Sequence, residues 1–337
     1  MATFAILGMG GFGLALAVML NNFNHEVTVW SKFPSEAETI RRDGEYKEKL
    51  PGVKISSSID LTSDINCVKD KDIVIFGVPT GFVRSVAKEI APIVSDKTII
   101  VNTSKGLEDI TYKRMSEVLR EELPDSPIVV LTGPSHAEEV AIGVPTTITA
   151  ASADVKYADY VQDVMSNSLF RVYINDDIIG CELGGSLKNV IALCAGICDG
   201  MGCGDNTKAA LMTRGLTEIA RLGLAMGGRS DTFAGLTGIG DLIVTCTSMH
   251  SRNRRAGILI GQGVSPEEAV KRVGTVEGYF CTKAAYGLAK KIGVDMPITE
   301  QCYNVLYNGL NPKTAMSNLM ARPKRHETEK VWVEKQK

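Results

Sequence analysis

The chain has 337 residues, of which 44% are hydrophobic and 23% charged, and its formal net charge is −2. This composition is typical of a globular protein and excludes a disordered or fibrous chain, and the small charge gives no global attraction to nucleic acid or anionic lipid. The length exceeds that of one ordinary core, so we expect two domains.

The beginning of the chain leads directly into a glycine loop, without a basic start, a long apolar segment or a small-residue cleavage site. This pattern predicts a cytoplasmic protein without a secretory signal. No uninterrupted apolar stretch approaches the ~20 residues that span a bilayer, so we expect no stable membrane insertion. The eight cysteines form no CxxC pair, which favours buried free thiols over metal ligands, and we predict no metal site.

Short β-branched segments alternate with helical ones over residues 1–180. The predicted strands are residues 3–7, 26–30, 72–78, 98–102, 128–131 and 145–150, with residues 170–174 as a last candidate. Amphipathic segments, such as residues 83–90 and 113–122, lie between several of these strands. The alternation predicts an α/β domain with a doubly wound, mostly parallel sheet.

Beyond Asp176 the strand pattern ends. Residues 181–325 are rich in Ala, Leu, Met and Lys at helical spacing and are interrupted by glycine clusters. We therefore predict an all-helical second domain over residues 181–325. Residues 326–337 form a highly charged tail that we expect to fray.

Gly8, Gly10 and Gly13 spell the motif GxGxxG between the first predicted strand and an apolar helix. The first glycine permits a tight turn, the second lets the backbone approach a pyrophosphate, and the third lets helix and strand pack closely. The phosphate then lies on the N-terminus of the helix, where free N–H groups favour an anion. This context predicts a dinucleotide-binding Rossmann domain over residues 1–180, and a glycine turn without a ligand is the alternative.

The residues after the second predicted strand bear on the choice of dinucleotide. NAD-binding loops usually carry an acidic residue there, about 20 residues after the glycines, which binds the ribose hydroxyls. This chain has Ser31 and Lys32 instead, which offer a hydroxyl and an ammonium to a 2′-phosphate. We therefore expect NADPH to be accommodated and preferred, with NADH as a further cofactor. A solvated loop cation is the alternative interpretation of Lys32.

Polar clusters elsewhere in the chain suggest a small phosphorylated alcohol as substrate. They lie at residues 102–106 and 133–138, after predicted strands, and at residues 184–189, 238–241 and 251–255 in the predicted helical domain. The carboxyl ends of parallel strands are where open α/β sheets bind ligands. Together the clusters offer cations and amides for a phosphate, a carboxylate for a hydroxyl and a base for its proton.

Four long segments resemble the bacterial NAD(P)-dependent glycerol-3-phosphate dehydrogenases, in the family's order and over nearly the whole chain. They read LTGPSHAEEV, ELGGSLKNVIALCAGICDGMGCGDNTKAALMTRG, GLTGIGDLIVTCTSMHSRNRRAG and VEGYFCTKAA. The resemblance implies an enzyme that reduces dihydroxyacetone phosphate to sn-glycerol 3-phosphate, the backbone precursor of membrane phospholipids. It also implies a homodimer formed through the helical domain.

The resemblance assigns roles to individual residues. Lys188 is implied to accept a proton in alcohol oxidation and to donate one in reduction. The implied substrate contacts are Lys105, Gly133, Ser135, Lys188, Asp241, Ser251, Arg252 and Asn253. With the glycine loop and the residues after the second strand, the expected cofactor contacts are Gly8, Gly10, Gly11, Phe12, Gly13, Ser31, Lys32, Lys105, Ala137, Arg252 and Glu277.

The proton transfer places a demand on the pKa of Lys188. A lysine accepts a proton only when it is neutral, so its pKa must lie below the usual ~10.4. Burial or a neighbouring cation such as Lys105 lowers a lysine pKa, and we expect such a shift.

The glycine loop departs from the family pattern. Most bacterial members read GxGSWGTAL, whereas this chain reads GMGGFGLAL, so Gly11 replaces a serine and Phe12 a tryptophan. The serine hydroxyl is lost, although the backbone N–H and an aromatic plane remain. We expect dinucleotide binding to persist with a changed affinity or cofactor preference.

Two other functions stay open at this point. A β-hydroxyacid dehydrogenase has a similar architecture and its own GxxxKN lysine, so residues 184–189 alone do not exclude it. The residues that discriminate between the two are those expected to bind phosphate, Ser251, Arg252, Asn253 and Lys105. A non-catalytic NADP-sensing Rossmann protein is the second alternative, and the presence of Lys188 and Asp241 argues against it.

Overall fold

Strands and helices alternate from Thr3 to Asn175 in the computed structural model, which describes residues 1–324, 326, 327 and 329. The strands are β1 (Thr3–Leu7), β2 (Glu26–Trp30), β3 (Glu45–Tyr46), β4 (Leu50–Lys54), β5 (Asp60–Thr62), β6 (Ile73–Phe76), β7 (Ile99–Asn102), β8 (Ile128–Thr132), β9 (Thr146–Ala151) and β10 (Phe170–Asn175). The helices are α1 (Gly11–Asn22), α2 (Pro34–Asp43), α3 (Val83–Ile90), α4 (Met115–Glu122), α5 (Ala137–Ala141) and α6 (Val155–Met165).

Eight of these strands form one sheet in the order β10-β9-β8-β7-β6-β1-β2-β5. Its neighbouring strands are parallel except β8 and β9, which pair antiparallel. The central strand β6, with the sequence IVIF, is buried at every residue, as expected where helices cover both faces. The predicted doubly wound, mostly parallel sheet is confirmed.

All the predicted strands are present, each within two residues of its predicted ends. The sequence pattern did not indicate β5 or the separate β3–β4 hairpin. These strands are short, and β4 contains Pro51 and Gly52, which disfavour a strand assignment.

The chain divides into two units, and the division is not continuous in sequence. Unit 1 contains residues 1–104 and 115–178, and unit 2 contains residues 105–114 and the chain from Ile179 onward. The boundary predicted from the sequence lies at residue 180 and leaves residues 105–114 in the first domain, where the structure instead assigns them to the second unit. Of the predicted charged tail, residues 326–337, only 326, 327 and 329 lie within the described residues.

Outside residues 105–114, the regular structure in the described part of unit 2 is helical. The helices are α7 (Ile178–Gly200), α8 (Asp205–Ala225), α9 (Ser230–Phe233), α10 (Asp241–Thr247), α11 (Arg252–Gly261), α12 (Pro266–Val273), α13 (Glu277–Ile292), α14 (Pro297–Tyr307) and α15 (Pro312–Met320), with a π-helical turn at Leu236–Gly240. Apolar side chains from most of them surround the buried residues of α7 in one core.

Among the described residues, α7 is the one helix that is long and apolar enough to cross a membrane. Most of its apolar window, 89%, is buried inside the protein. A core helix has the same length and composition, so this finding is weak support for a membrane span.

Helices α7 and α11 cross at a pair of glycines on each helix. A Cβ on Gly196 of α7 would lie 2.1 Å from the carbonyl oxygen of Arg254, and one on Gly257 of α11 would lie 2.2 Å from that of Leu193. One turn further along each helix, a Cβ on Gly200 would meet the carbonyl oxygen of Ile258, and one on Gly261 would meet that of Ile197. The missing side chains therefore let the two backbones come into direct contact.

Candidate active site

The glycine loop between β1 and α1 leaves room for a phosphate. A Cβ on Gly13 would lie 2.2 Å from the carbonyl oxygen of Gly8, and Gly8 has a φ of +122°, so neither position accepts a side chain. At Gly10, by contrast, a Cβ would meet no described atom within 4 Å beyond its chain neighbours. Helix α1 begins without a side-chain cap or an acidic residue in its first turn. Its first N–H groups therefore suit the pyrophosphate of a dinucleotide.

Gly11 accommodates the turn between β3 and β4. A Cβ on Gly11 would lie 2.6 Å from the carbonyl oxygen of Lys49, so a serine at this position would require the hairpin to move. Phe12, next to it, is partly buried against the core of unit 1. The departure from the family loop is thus explained at Gly11 by the close approach of the Lys49 carbonyl.

The end of β2 differs from the environment expected from the sequence. The Ser31 hydroxyl donates a hydrogen bond to Glu36 in the first turn of α2, and Glu36 also accepts one from Tyr46 Oη at 2.9 Å. Ser31 is buried, whereas Lys32 is exposed. The expectation that no carboxylate lies near Ser31 is therefore wrong. Glu36, five residues further along the chain in α2, supplies one.

The remaining predicted contacts in unit 1 follow β8. Gly133 has a φ of +139°, and a Cβ on it would lie 3.2 Å from Ile148 Cα. The Ser135 hydroxyl donates to the carbonyl oxygen of Gly133 at 3.0 Å. Ala137 begins α5, and its Cβ lies 3.7 Å from the position that a Cβ on Gly11 would occupy. Unit 1 therefore brings Ala137 to the glycine loop.

In unit 2, two lysines share one buried carboxylate. The Nζ of Lys188, on α7, donates to Asp241 Oδ1 and, at 2.7 Å, to Thr245 Oγ1. The Nζ of Lys105 donates to Asp241 Oδ2 at 2.7 Å. Lys188 is 5% exposed and Asp241 1%. The cluster therefore places two ammonium groups around one buried carboxylate.

A glycine places Asp241 beside Lys188. A Cβ on Gly184, one turn before Lys188 in α7, would lie 2.6 Å from the carbonyl oxygen of Thr237 in the π-helical turn. Asp241 follows that turn directly as the first residue of α10. Gly184, the first glycine of the GGSLKN segment, therefore helps to bring α10 against α7.

The environment of Lys188 lowers its pKa from 10.5 to about 8. Burial is the main cause, and the positive charge of Lys105 adds to it, whereas Asp241 opposes the shift. Burial alone would raise the pKa of Asp241, but Lys105 and Lys188 outweigh it and keep that pKa below its usual value. The expected lowering of the Lys188 pKa is confirmed, and Asp241 stays ionised at neutral pH.

A chain of amide contacts connects the next helices to this cluster. Asn189, beside Lys188, donates from Nδ2 to the Lys105 carbonyl at 3.2 Å and accepts from Asn253 Nδ2 at 2.9 Å. Asn253 Oδ1 in turn accepts from the N–H of Gly278 at 2.8 Å. These bonds join the Lys105 loop, α7, α11 and α13, so Asn253 lies within the same network as Lys188.

The other predicted residues of unit 2 lie at helix starts. Ser251 is buried, and its hydroxyl caps α11 by accepting from the N–H of Arg254 at 3.2 Å. Arg252, the first residue of α11, is exposed. Glu277 is the first residue of α13 and is half-buried. The described contacts give Ser251 a structural role, and the substrate and cofactor roles of these three residues stay predictions.

Sequence reasoning did not identify Thr245, Asn189 or Glu36. Thr245 lies four residues after Asp241, so the helical spacing was a usable signal that both side chains share a face. The contacts of Asn189 and Glu36 depend on residues that are distant or in another element. In the described part of the chain, no group of three or more His, Cys, Asp or Glu side chains could hold a metal ion.

Comparisons with known proteins agree along both halves of the chain. The family model described as the NAD-dependent glycerol-3-phosphate dehydrogenase N-terminus matches residues 3–158, and the C-terminal model of the same family matches residues 177–317. The chain is 54% identical over 327 residues to the glycerol-3-phosphate dehydrogenase (NAD(P)+) of Moorella thermoacetica, which covers 96% of this chain and 97% of the relative. The enzyme of the same name from Desulfitobacterium hafniense is 51% identical over 332 residues, or 98% of this chain and 94% of the relative.

A solved structure supports the same assignment. The crystal structure of glycerol-3-phosphate dehydrogenase from Coxiella burnetii superposes with a TM-score of 0.92 and is 36% identical, covering 95% of this chain and 99% of that one. Because both family models match and relatives about half identical extend over nearly the full length, the chain belongs to the NAD-dependent glycerol-3-phosphate dehydrogenase family.

Proposed function

We propose that this protein catalyses the reversible reduction of dihydroxyacetone phosphate to sn-glycerol 3-phosphate with NADPH or NADH. The observation that carries the proposal is the buried Lys188 ammonium, which contacts Asp241 and Thr245 and has Lys105 on the other carboxylate oxygen. Burial of an ammonium costs free energy even when it is paired, and it lowers the pKa of Lys188, so this arrangement suits a proton-transfer site rather than packing.

Lys188 is the proton donor in reduction and the proton acceptor in oxidation. The bound reduced nicotinamide would supply the hydride to the carbonyl carbon. As negative charge develops on the carbonyl oxygen, the Lys188 ammonium stabilises it and transfers a proton. With a pKa of about 8, the same amine is neutral often enough near neutral pH to accept a proton from the alcohol. Asp241 and Thr245 hold Nζ in place during both steps.

Cations of unit 2 account for the phosphate group of the substrate. Lys105 brings an ammonium group to the cluster, and Arg252 offers a planar fork that donates two parallel hydrogen bonds to phosphate oxygens. Ser251 and Asn253 flank Arg252 and fix the start of α11. In unit 1, Gly133 and Ser135 lie at the carboxyl end of β8, a position that suits a substrate contact.

Absorbance at 340 nm tests the activity. The protein should oxidise NADPH or NADH when dihydroxyacetone phosphate is added, and Lys188→Met should reduce kcat by roughly 100-fold or more through loss of the proton donor. Lys291→Met is the matched control, because Lys291 is an exposed lysine of unit 2, and it should keep the wild-type rate. If dihydroxyacetone phosphate caused no cofactor oxidation, the proposal would be wrong.

The same assay separates the two alternatives. Turnover with a β-hydroxyacid or its oxo acid, and none with dihydroxyacetone phosphate, would indicate a β-hydroxyacid dehydrogenase. Cofactor binding without turnover of either substrate would indicate an NADP sensor. The Lys105–Asp241–Lys188 cluster and Arg252 favour the phosphorylated substrate.

The cellular setting is part of the proposal. The product would supply the backbone for glycerophospholipid biosynthesis. The eight cysteines are free thiols, which supports action in a reducing compartment such as the cytoplasm. A homodimer is the assembly implied by the family resemblance, and light scattering of the purified protein would measure it.

A further inference from the structure

We infer that Glu36 determines the cofactor preference of this protein and that it favours NADH over NADPH. This inference rests on the proposed function insofar as the protein binds a nicotinamide dinucleotide. It reverses the preference expected from Ser31 and Lys32 in the sequence, and it concerns a residue that the glycine-loop motif does not include.

Glu36 occupies the position where a dinucleotide-binding sheet recognises the adenosine ribose. Strand β2 pairs with β1 up to Leu7 and Trp30, and the N–H of Gly8 donates to the Trp30 carbonyl at 2.8 Å. Ser31 therefore lies next to the first glycine of the loop. In NAD-binding sheets a carboxylate at this place accepts hydrogen bonds from the ribose hydroxyls. Glu36, hydrogen-bonded to Ser31, supplies that carboxylate from the next helix.

Ser31 cannot serve a 2′-phosphate in this arrangement. A hydroxyl has one hydrogen to donate, and that of Ser31 is directed to Glu36, while its oxygen accepts from the N–H of Phe33 at 3.2 Å. A phosphate accepts hydrogen bonds, so it cannot replace the Ser31 hydroxyl as a donor to the Glu36 carboxylate. Binding a 2′-phosphate through Ser31 would therefore break the Ser31–Glu36 bond.

Among the described residues, no ion pair balances the charge of Glu36. Its carboxylate accepts from two neutral hydroxyls, those of Ser31 and Tyr46. A 2′-phosphate carries nearly two negative charges at neutral pH, so it is repelled by this carboxylate. A 2′-hydroxyl instead donates to it. Lys32 is exposed to solvent, which screens its attraction for the phosphate.

Glu36→Gln tests the inference, because glutamine keeps the shape and one acceptor oxygen but removes the charge. The dissociation constants of NADH and NADPH are measured by nicotinamide fluorescence without any substrate. The wild-type protein should bind NADH more tightly than NADPH, and Glu36→Gln should improve NADPH binding relative to NADH by about tenfold. The same change should appear in the ratio of kcat/KM values.

Two control variants separate this effect from general electrostatics. Glu38→Gln removes the same charge from an exposed position of α2, and it should leave the ratio of the two dissociation constants unchanged. Lys32→Gln should change that ratio less than Glu36→Gln does.

Tighter binding of NADPH than of NADH by the wild-type protein would overturn the inference. So would an unchanged ratio in Glu36→Gln, or an equal shift in Glu38→Gln. Because binding is measured without substrate, a protein that binds both cofactors but does not reduce dihydroxyacetone phosphate would contradict the proposed function and leave this inference intact.

Discussion

The chemistry at the scale of single residues depends on how one buried carboxylate is shared. Asp241 faces the ammonium groups of both Lys188 and Lys105, and burial disfavours every charge in the group. The two lysines keep Asp241 ionised, while burial and, to a smaller extent, Lys105 make Lys188 a weaker base than a free lysine. The cluster therefore produces a lysine that releases and recovers a proton near neutral pH.

Thr245 positions the reactive amine. Its hydroxyl accepts from Lys188 Nζ at 2.7 Å and donates to the Asp241 carbonyl at 2.6 Å. Valine has nearly the same shape but no hydroxyl, so Thr245→Val should lower kcat by roughly 10-fold to 100-fold. The KM for dihydroxyacetone phosphate should change little. Steady-state kinetics at saturating cofactor measures both constants.

Thr247→Val is the control for this variant. Thr247 lies on the same helix, is exposed, and donates only to the Ile243 carbonyl one turn earlier. Its replacement should leave kcat unchanged. An equal loss of kcat in both variants, or none in Thr245→Val, would contradict the positioning role.

At the scale of secondary-structure elements, glycines set the distances between the helices that carry the site. Gly184 admits the turn before Asp241, and Gly196 and Gly257 bring α7 and α11 into backbone contact. The Asn189–Asn253 bond joins the same two helices near the Lys188 cluster. Helix spacing and site geometry are therefore coupled.

Gly257→Ala should destabilise this crossing. The new methyl group would lie 2.2 Å from the Leu193 carbonyl oxygen and 2.8 Å from the Ile197 nitrogen, and neither backbone atom can turn away. We expect a decrease in Tm of roughly 5 °C or more, measured by differential scanning calorimetry. At temperatures below the Tm of the variant, its kcat should also be reduced. Gly81→Ala introduces a methyl group into open space and should change Tm little. A wild-type Tm for Gly257→Ala would show that the helices are not held at this distance.

At the scale of the whole molecule, the sequence predicts well what is local in the chain. The glycine loop adjoins both β1 and α1, and the apolar strands repeat with helices between them, so the strand positions and the dinucleotide site follow from short segments. Residues 105–114 were predicted less well, because their membership of unit 2 depends on contacts with helices far along the chain.

Side-chain contacts between distant segments were the hardest to predict. Asp241 lies 53 residues from Lys188 and 136 from Lys105, so no spacing rule connects them, and only the family resemblance grouped the three. The cap of α14 was hard to predict for the same reason. The buried Glu218 accepts from the N–H groups of Ile298 and Thr299, which lie 80 and 81 residues further along the chain. Glu36 was not predicted, because the carboxylate that binds the ribose is expected at the end of β2, whereas Glu36 lies in the following helix.

The pH dependence of sn-glycerol 3-phosphate oxidation tests the central claim, that Lys188 is the proton-transfer group, most directly. Protonated Lys188 cannot accept a proton, so kcat/KM should be low below the pKa, rise with pH through a midpoint at about 8 and then level off. In the reverse direction kcat/KM should fall over the same range. A kcat/KM for oxidation that shows no titrating group below about 9.5 would contradict the account.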